Sequence, residues 1–147
     1  MAHMDYSGHS GHSFCNTFTE PFLKKLKSGV RVNTRHKGRL GEACAIEHLL
    51  ENGYSIMCQN YQTRTGEIDC VARDMDGTLV FLEVKSVRSL HMGNPLYKIT
   101  PAKRKTLMRL ARYYMAEHKI TGQPCRFDVI SIVNGKIDHL KNAFIAM

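Results

Sequence analysis

The chain has 147 residues, enough for one ordinary domain, and 43% of them are apolar, enough for a core. No run approaches the ~20 apolar residues of a membrane span, and no apolar signal core stands at the N-terminus, so a soluble cytoplasmic protein is expected. The net charge of +8 and isoelectric point near 9.4 suggest a polyanionic partner. The cysteines (Cys15, Cys44, Cys58, Cys70, Cys125) are odd in number, widely spaced and without a C-x-x-C pair, which predicts reduced thiols rather than a disulfide framework.

Residues 1 to 29 read as a disordered arm. Met-Ala-His-Met resembles a cloning remnant, and Ser-Gly-His repeats follow. Lys24, Lys25, Lys27, Arg31, Arg35, Lys37 and Arg39 then form the densest charge run, with no acid among them. It is either a solvated arm or a segment that tracks phosphates. The folded domain is expected from residue 30 to 147.

A helix is predicted over 38 to 51, stopped by Gly53, with Ala43, Ile46, Leu49 and Leu50 as its buried stripe. Glu42 falls inside that stripe, where a carboxylate is costly unless paired or metal-bound. Strands follow at 54 to 60, with Tyr54, Ile56 and Cys58 alternating, at 67 to 73 and at 78 to 87. Asp-Met-Asp-Gly at 74 to 77 makes the turn between the last two. A second helix, 101 to 118, is capped by Thr100 and Pro101 and is basic through Arg104, Lys105, Arg109 and Arg112. Two strands, 126 to 133 and 136 to 140, close the chain around Asn134-Gly135. The order α-β-β-β-α-β-β predicts an α/β domain with a mixed central sheet under two helices.

The chemistry concentrates in Glu67-Ile68-Asp69 and, thirteen residues on, Glu83-Val84-Lys85. Strand alternation would put Glu67 and Asp69 on one face, and Glu83 and Lys85 on one face of the next strand. Hard carboxylate oxygens suit Mg²⁺ or Mn²⁺, which can neutralise a phosphodiester and acidify a water. Asp69 and Glu83 are the expected ligands, with the Val84 carbonyl as a third and Glu42 holding the ion directly or through water. Lys85 would orient the attacking water or a phosphate oxygen. The competing reading is an exposed strand face carrying salt bridges. Lys103, Arg104, Arg109, Arg88, Arg64 and Arg39 are the candidates for nucleic-acid contacts; Lys103 either leans to the site or snorkels off the helix end. Asp128, beside Arg126, reads as half of a structural ion pair.

Gly41-Glu42, Ala45, Leu49, Gly53-Tyr54, Asn60, Gly66-Glu67-Ile68-Asp69, Glu83-Val84-Lys85, Lys103, Ala111 and Arg126-Phe127-Asp128 stand in the order and spacing of the YraN-like bacterial proteins, which the chain resembles over residues 38 to 144. That family is similar to the PD-(D/E)xK nucleases, including archaeal Holliday junction resolvases. The resemblance implies a restriction-endonuclease-like fold, Mg²⁺, DNA cleavage leaving a 5′-phosphate and, by analogy with resolvases, a homodimer. Ile68 stands where the superfamily name has proline. Gln62 and Val87 stand where arginines are expected, which would thin the phosphate contacts. No base-reading motif is recognisable, so selectivity would rest on DNA shape, as at a branch. The reading is an endonuclease; the alternative is a nucleic-acid-binding module, or a partner protein in DNA processing, on a nuclease scaffold with weak or lost catalysis.

Overall fold

A computed structural model describes residues 34–87, 99–133 and 135–145, with the backbone alone for 34–40 and 87. The expected N-terminal arm and Arg88 lie outside the described residues. Helix α1 (Thr34–Glu51) leads into strands β1 (Ser55–Thr63), β2 (Gly66–Arg73) and β3 (Leu79–Val87). Helix α2 (Pro101–Glu117) and strands β4 (Cys125–Val133) and β5 (Lys136–Phe144) follow.

The helix ends obey local rules. Thr100 accepts the Lys103 N–H at 3.1 Å and Pro101 occupies the first turn of α2. Gly53 closes α1 with φ +82°, and Tyr54 N–H returns to the Leu49 carbonyl at 3.0 Å. The first helix begins four residues before the expected start, so Arg35, Lys37 and Arg39 belong to helix rather than to an arm.

The strands form one mixed sheet in the order β1-β2-β3-β4-β5, antiparallel except for the parallel β3–β4 pair. Parallel neighbours need a crossover, and α2 supplies it. The sheet is buried on both faces. On one, Ile68, Val71, Phe81 and Phe127 pack against Leu107, Leu110 and Tyr114 of α2. On the other, Cys70, Ala72, Val80 and Leu82 pack against Ala45, Ile46 and Leu49 of α1. That double burial explains the apolar start of β3. No helix among the described residues is long and apolar enough to cross a membrane.

Three expectations need correction. Leu50, expected in the buried stripe of the first helix, is half-exposed. Tyr54, Ile56 and Cys58 do not share a face: a bulge between Ile56 and Cys58 turns Cys58 toward α2 while Tyr54 and Ile56 face α1. Cys44, Cys70 and Cys125 are free thiols, but Cys58 is disulfide-bonded, against the expectation of reduced cysteines throughout.

The last strand runs past residue 140 because a register shift opposite Phe127 and Val129 carries it on, with Asn142 at φ +52°. Asp128, its side chain fully buried, accepts the Asn142 N–H at 2.9 Å, two bonds from the Arg126 Nε at 3.0 and 3.2 Å, and a contact of 2.8 Å from His139 Nε2. Burial alone would raise its proton affinity; His139, Arg126 and the Asn142 N–H outweigh it and hold the carboxyl below the usual range. Arg126 also reaches Asp74 at 2.7 Å and the Tyr54 hydroxyl at 2.8 Å. Asp128 is thus a buried ion-pair centre that pins β5 to the turn after β2.

Candidate functional site

The β2–β3 ladder pairs Arg73 with Leu79, Ala72 with Val80, Val71 with Phe81 and Cys70 with Leu82, and the ladder ends there. One step further, in the same register, Asp69 stands opposite Glu83. The Asp69 carboxylate accepts the Val84 N–H at 2.7 Å, so a side chain takes the place of the next backbone partner. The splay between the two strands begins at these residues.

Strand alternation fails at the same point. Ile68 packs on the α2 face, but Cys70, two residues on, packs on the α1 face. The break is matched on β1: Cys58 and Tyr61 both face α2 although three residues apart, and between them Asn60 adopts φ +53°. The pairs Gln59–Cys70 and Tyr61–Ile68 bracket the break, which sets Asn60 opposite Asp69. Asparagine enters the left-handed region at little cost. Asp69 therefore lies in neither face and is aimed toward β3. The expectation that Glu67 shares its face is overturned: Glu67 is exposed and accepts from Gln62 Nε2 at 2.9 Å.

The other carboxylates come from the two layers. Glu83 follows Phe81 on the α2 face and is 5% exposed. Its Oε1 pairs with Lys85 Nζ at 3.1 Å and Lys103 Nζ at 3.5 Å, while its buried Oε2 has no hydrogen-bond partner. Glu42, half-buried on α1, lies near enough for its charge to act on both Asp69 and Cys70. Gly41 permits this approach, because a Cβ there would stand 2.8 Å from the Ser86 Cβ on β3. On the other side Gly66, at φ +152°, lets β2 start against α2, where a Cβ would meet Thr106 Cγ2 at 2.9 Å.

Burial, then the neighbouring Glu83 carboxylate, and more weakly Glu42 and Glu67, push the Asp69 carboxyl up to about 8 against the opposing Val84 N–H. The Asp69 and Glu83 carboxylates repel each other, and one buried Glu83 oxygen has no hydrogen-bond partner. These hard oxygen donors fit a divalent cation. Among the described residues, however, no three His, Cys, Asp or Glu side chains are already gathered as a group able to hold one ion.

Of the expected phosphate-binding residues, Arg64 and Arg109 are exposed, on the β1–β2 turn and the outer side of α2. Arg104 is partly engaged within the fold: its Nε donates to the Ile99 carbonyl at 3.2 Å and its guanidinium lies 5.6 Å from the Phe144 ring centroid. Lys103 turns inward, as its contact with Glu83 shows. The side chain of Arg39 lies outside the described residues. The strand reading did not find the backbone role of Asn60; an asparagine inside a strand pattern was the available signal.

Residues 41–132 match the family described as "Uncharacterised protein family UPF0102", the family that the motifs resemble, and the chain belongs to it. A UPF0102 protein of Persephonella marina is 44% identical over 108 residues, covering 74% of this chain and 92% of the relative. One from Clostridioides difficile is 36% identical over 115 residues, covering 77% and 100%. Among solved structures, a repair endonuclease from Pyrococcus abyssi is similar at 17% identity and a TM-score of 0.33, over 71% of this chain and 39% of that one.

Proposed function

We propose that this member of the UPF0102 family is a divalent-metal-dependent endonuclease of the restriction-endonuclease-like type, acting on DNA and selecting branched over linear duplexes. The observation that carries the reading is the meeting of Asp69, Glu83 and Lys85 where β2 leaves β3, with Glu83 Oε2 buried and unpartnered. An unmade bond on a buried oxygen costs about 1–3 kcal/mol, and a cation bound there would remove that cost.

Asp69, Glu83 and the Val84 carbonyl would hold the Mg²⁺ or Mn²⁺ ion, with Glu42 reaching it directly or through water. Bound there, the ion supplies neutralisation of phosphate charge and makes a water more acidic. The chain's own residues do the rest. Lys85 can donate to the attacking water or to a phosphate oxygen from beside Glu83. Asp69 is held in line by the Val84 N–H. Arg64 and the outer basic side of α2, with Arg109 and Arg112, offer phosphate contacts, which position a duplex without reading its bases. Selection would then rest on DNA shape and flexibility. Cutting both strands at a branch would call for two sites, so a homodimer belongs to this reading.

The second reading, a DNA-binding module without cleavage, is favoured by the absence of a ready-made acidic cage among the described residues. One experiment separates the two. Labelled four-way, flapped and linear DNAs are incubated with Mg²⁺, Mn²⁺ or EDTA, and binding and products are followed in parallel. The nuclease reading expects metal-dependent cuts near the branch that are lost in Glu83→Ala, with DNA binding kept or improved in that variant. Binding that falls with salt, without products in either metal, leaves the module. A fixed cut sequence on linear DNA would replace branch selection by sequence recognition.

A further inference from the structure

Lys103 occupies a costly position. It is the third residue of α2, where a cation opposes the positive end of the helix dipole, and the first turn contains no acid to offset it. Neighbouring Arg104 and Lys105 are exposed to water; Lys103 is only half so and reaches Glu83 Oε1 at 3.5 Å. Lys85 reaches the same oxygen at 3.1 Å. One carboxylate oxygen therefore carries two ammonium groups while its twin carries none. Lys85 comes from the same strand face as Glu83 and would accompany it in any state of the site. Lys103 comes from another layer, on a long flexible side chain that can leave without disturbing the sheet.

We propose that Lys103 is a resident cation of the metal site: it neutralises Glu83 while no divalent ion is bound, and is displaced toward the substrate phosphate when one arrives. The inference rests on the metal-site reading above and adds a role for a residue outside the Asp-Glu-Lys set. Charge supports it. Glu83 already faces both Lys85 and Lys103, so a divalent ion arriving at the same carboxylate leaves local positive charge in excess. A single phosphodiester carries the complementary charge, and a freed ammonium beside it is a point-charge partner for its oxygen. Lys103 is thus a positioning residue that competes with the metal for Glu83 and joins it in holding DNA.

The test uses the full chain and Mn²⁺ alone, by titration calorimetry without DNA. Lys103→Met is expected to bind Mn²⁺ about threefold to tenfold more tightly than wild type, the range of a modest ion pair removed. Lys103→Arg should stay near wild type. Lys105→Met, an equal loss of charge at an exposed neighbouring position, should change little. In a second measurement, the affinity for a branched duplex is read in Mg²⁺ and in EDTA, before any product appears on a gel. Lys103→Met should gain less from Mg²⁺ than wild type. Circular dichroism checks the fold, and Lys103→Gln stands in if the methionine variant does not fold. Wild type that binds no Mn²⁺ overturns the metal-site reading itself. Wild type that binds, with Lys103→Met matching Lys105→Met in Mn²⁺ affinity, overturns the resident-cation proposal alone.

Discussion

Replacing Asp69 by asparagine removes an ionisable, partly buried carboxyl and keeps an oxygen able to accept the Val84 N–H that Asp69 holds at 2.7 Å. The variant is expected to be more stable than the natural chain when no metal is present. Burial and the Glu83 carboxylate push the Asp69 carboxyl up to about 8, while in the unfolded chain it titrates near the usual 3.8. Between those values the native state binds the proton more tightly than the unfolded state. Stability from this group is therefore full below the unfolded value and is lost as pH rises through the window. The asparagine cannot ionise and escapes that loss. At pH 7 the difference is on the order of 2–4 kcal/mol, shrinking to less than half at pH 5 and to nothing below pH 4. The weaker amide acceptor subtracts a little. For a domain of about 100 residues this corresponds to a melting temperature higher by roughly 10 °C or more. Thermal melts of both proteins in EDTA at pH 5, 7 and 8.5 measure it, and the gap should widen with pH. Adding Mg²⁺ at pH 7 should narrow it, since an ion bound only by the folded natural chain stabilises that chain. A gap that does not change with pH, or an asparagine variant that melts below wild type at pH 7, would refute the account of an electrostatically strained carboxylate site.

The backbone break at Asn60 makes a sharper demand. Asn60→Gly should keep the fold and the metal response, whereas Asn60→Val, forced to φ +53°, should cost about 1–3 kcal/mol in urea melts and reduce Mn²⁺ binding in calorimetry; equal behaviour of the two would detach Asn60 from the placement of Asp69. Gly41→Val puts a side chain against Ser86 and should push α1, and Glu42 with it, off the sheet; the expected result is weaker metal binding in a protein that still folds, read by the Mg²⁺-induced change in melting temperature. Asp128→Ala leaves the Asn142 N–H without its acceptor and takes one carboxylate from Arg126, which keeps Asp74 and the Tyr54 hydroxyl, for a loss of about 1–3 kcal/mol in denaturant unfolding. Because the Asp128 carboxyl is held below its ordinary range, the stability it contributes is present at neutral pH and disappears as the medium is acidified through the folded value, so the gap between Asp128→Ala and wild type should close in acid melts.

Much of the architecture was legible along the chain because it follows from local rules. Caps and apolar spacing announced both helices, alternation and turn residues announced five strands, and the thirteen residues between Asp69 and Glu83 already implied a hairpin that would bring them together. A carboxylate in the buried stripe of a helix marked Glu42, since such a charge is expensive without a partner. Other features depended on contacts that periodicity does not encode. Two strands break their pleat together at Asn60 and Asp69, and only their pairing reveals that Asp69 is aimed between the faces while Glu67 turns to solvent. The continuation of β5 to Phe144 needs the Asp128 side chain to accept a backbone N–H from a residue fourteen positions away. The direction of Lys103 was open to two readings, because a helix angle names a face but not what stands opposite. Local sequence determined which groups could form the elements; the packing of α1 and α2 on opposite faces decided which charges meet, because electrostatic interaction and desolvation depend on distance in space and not on separation along the chain.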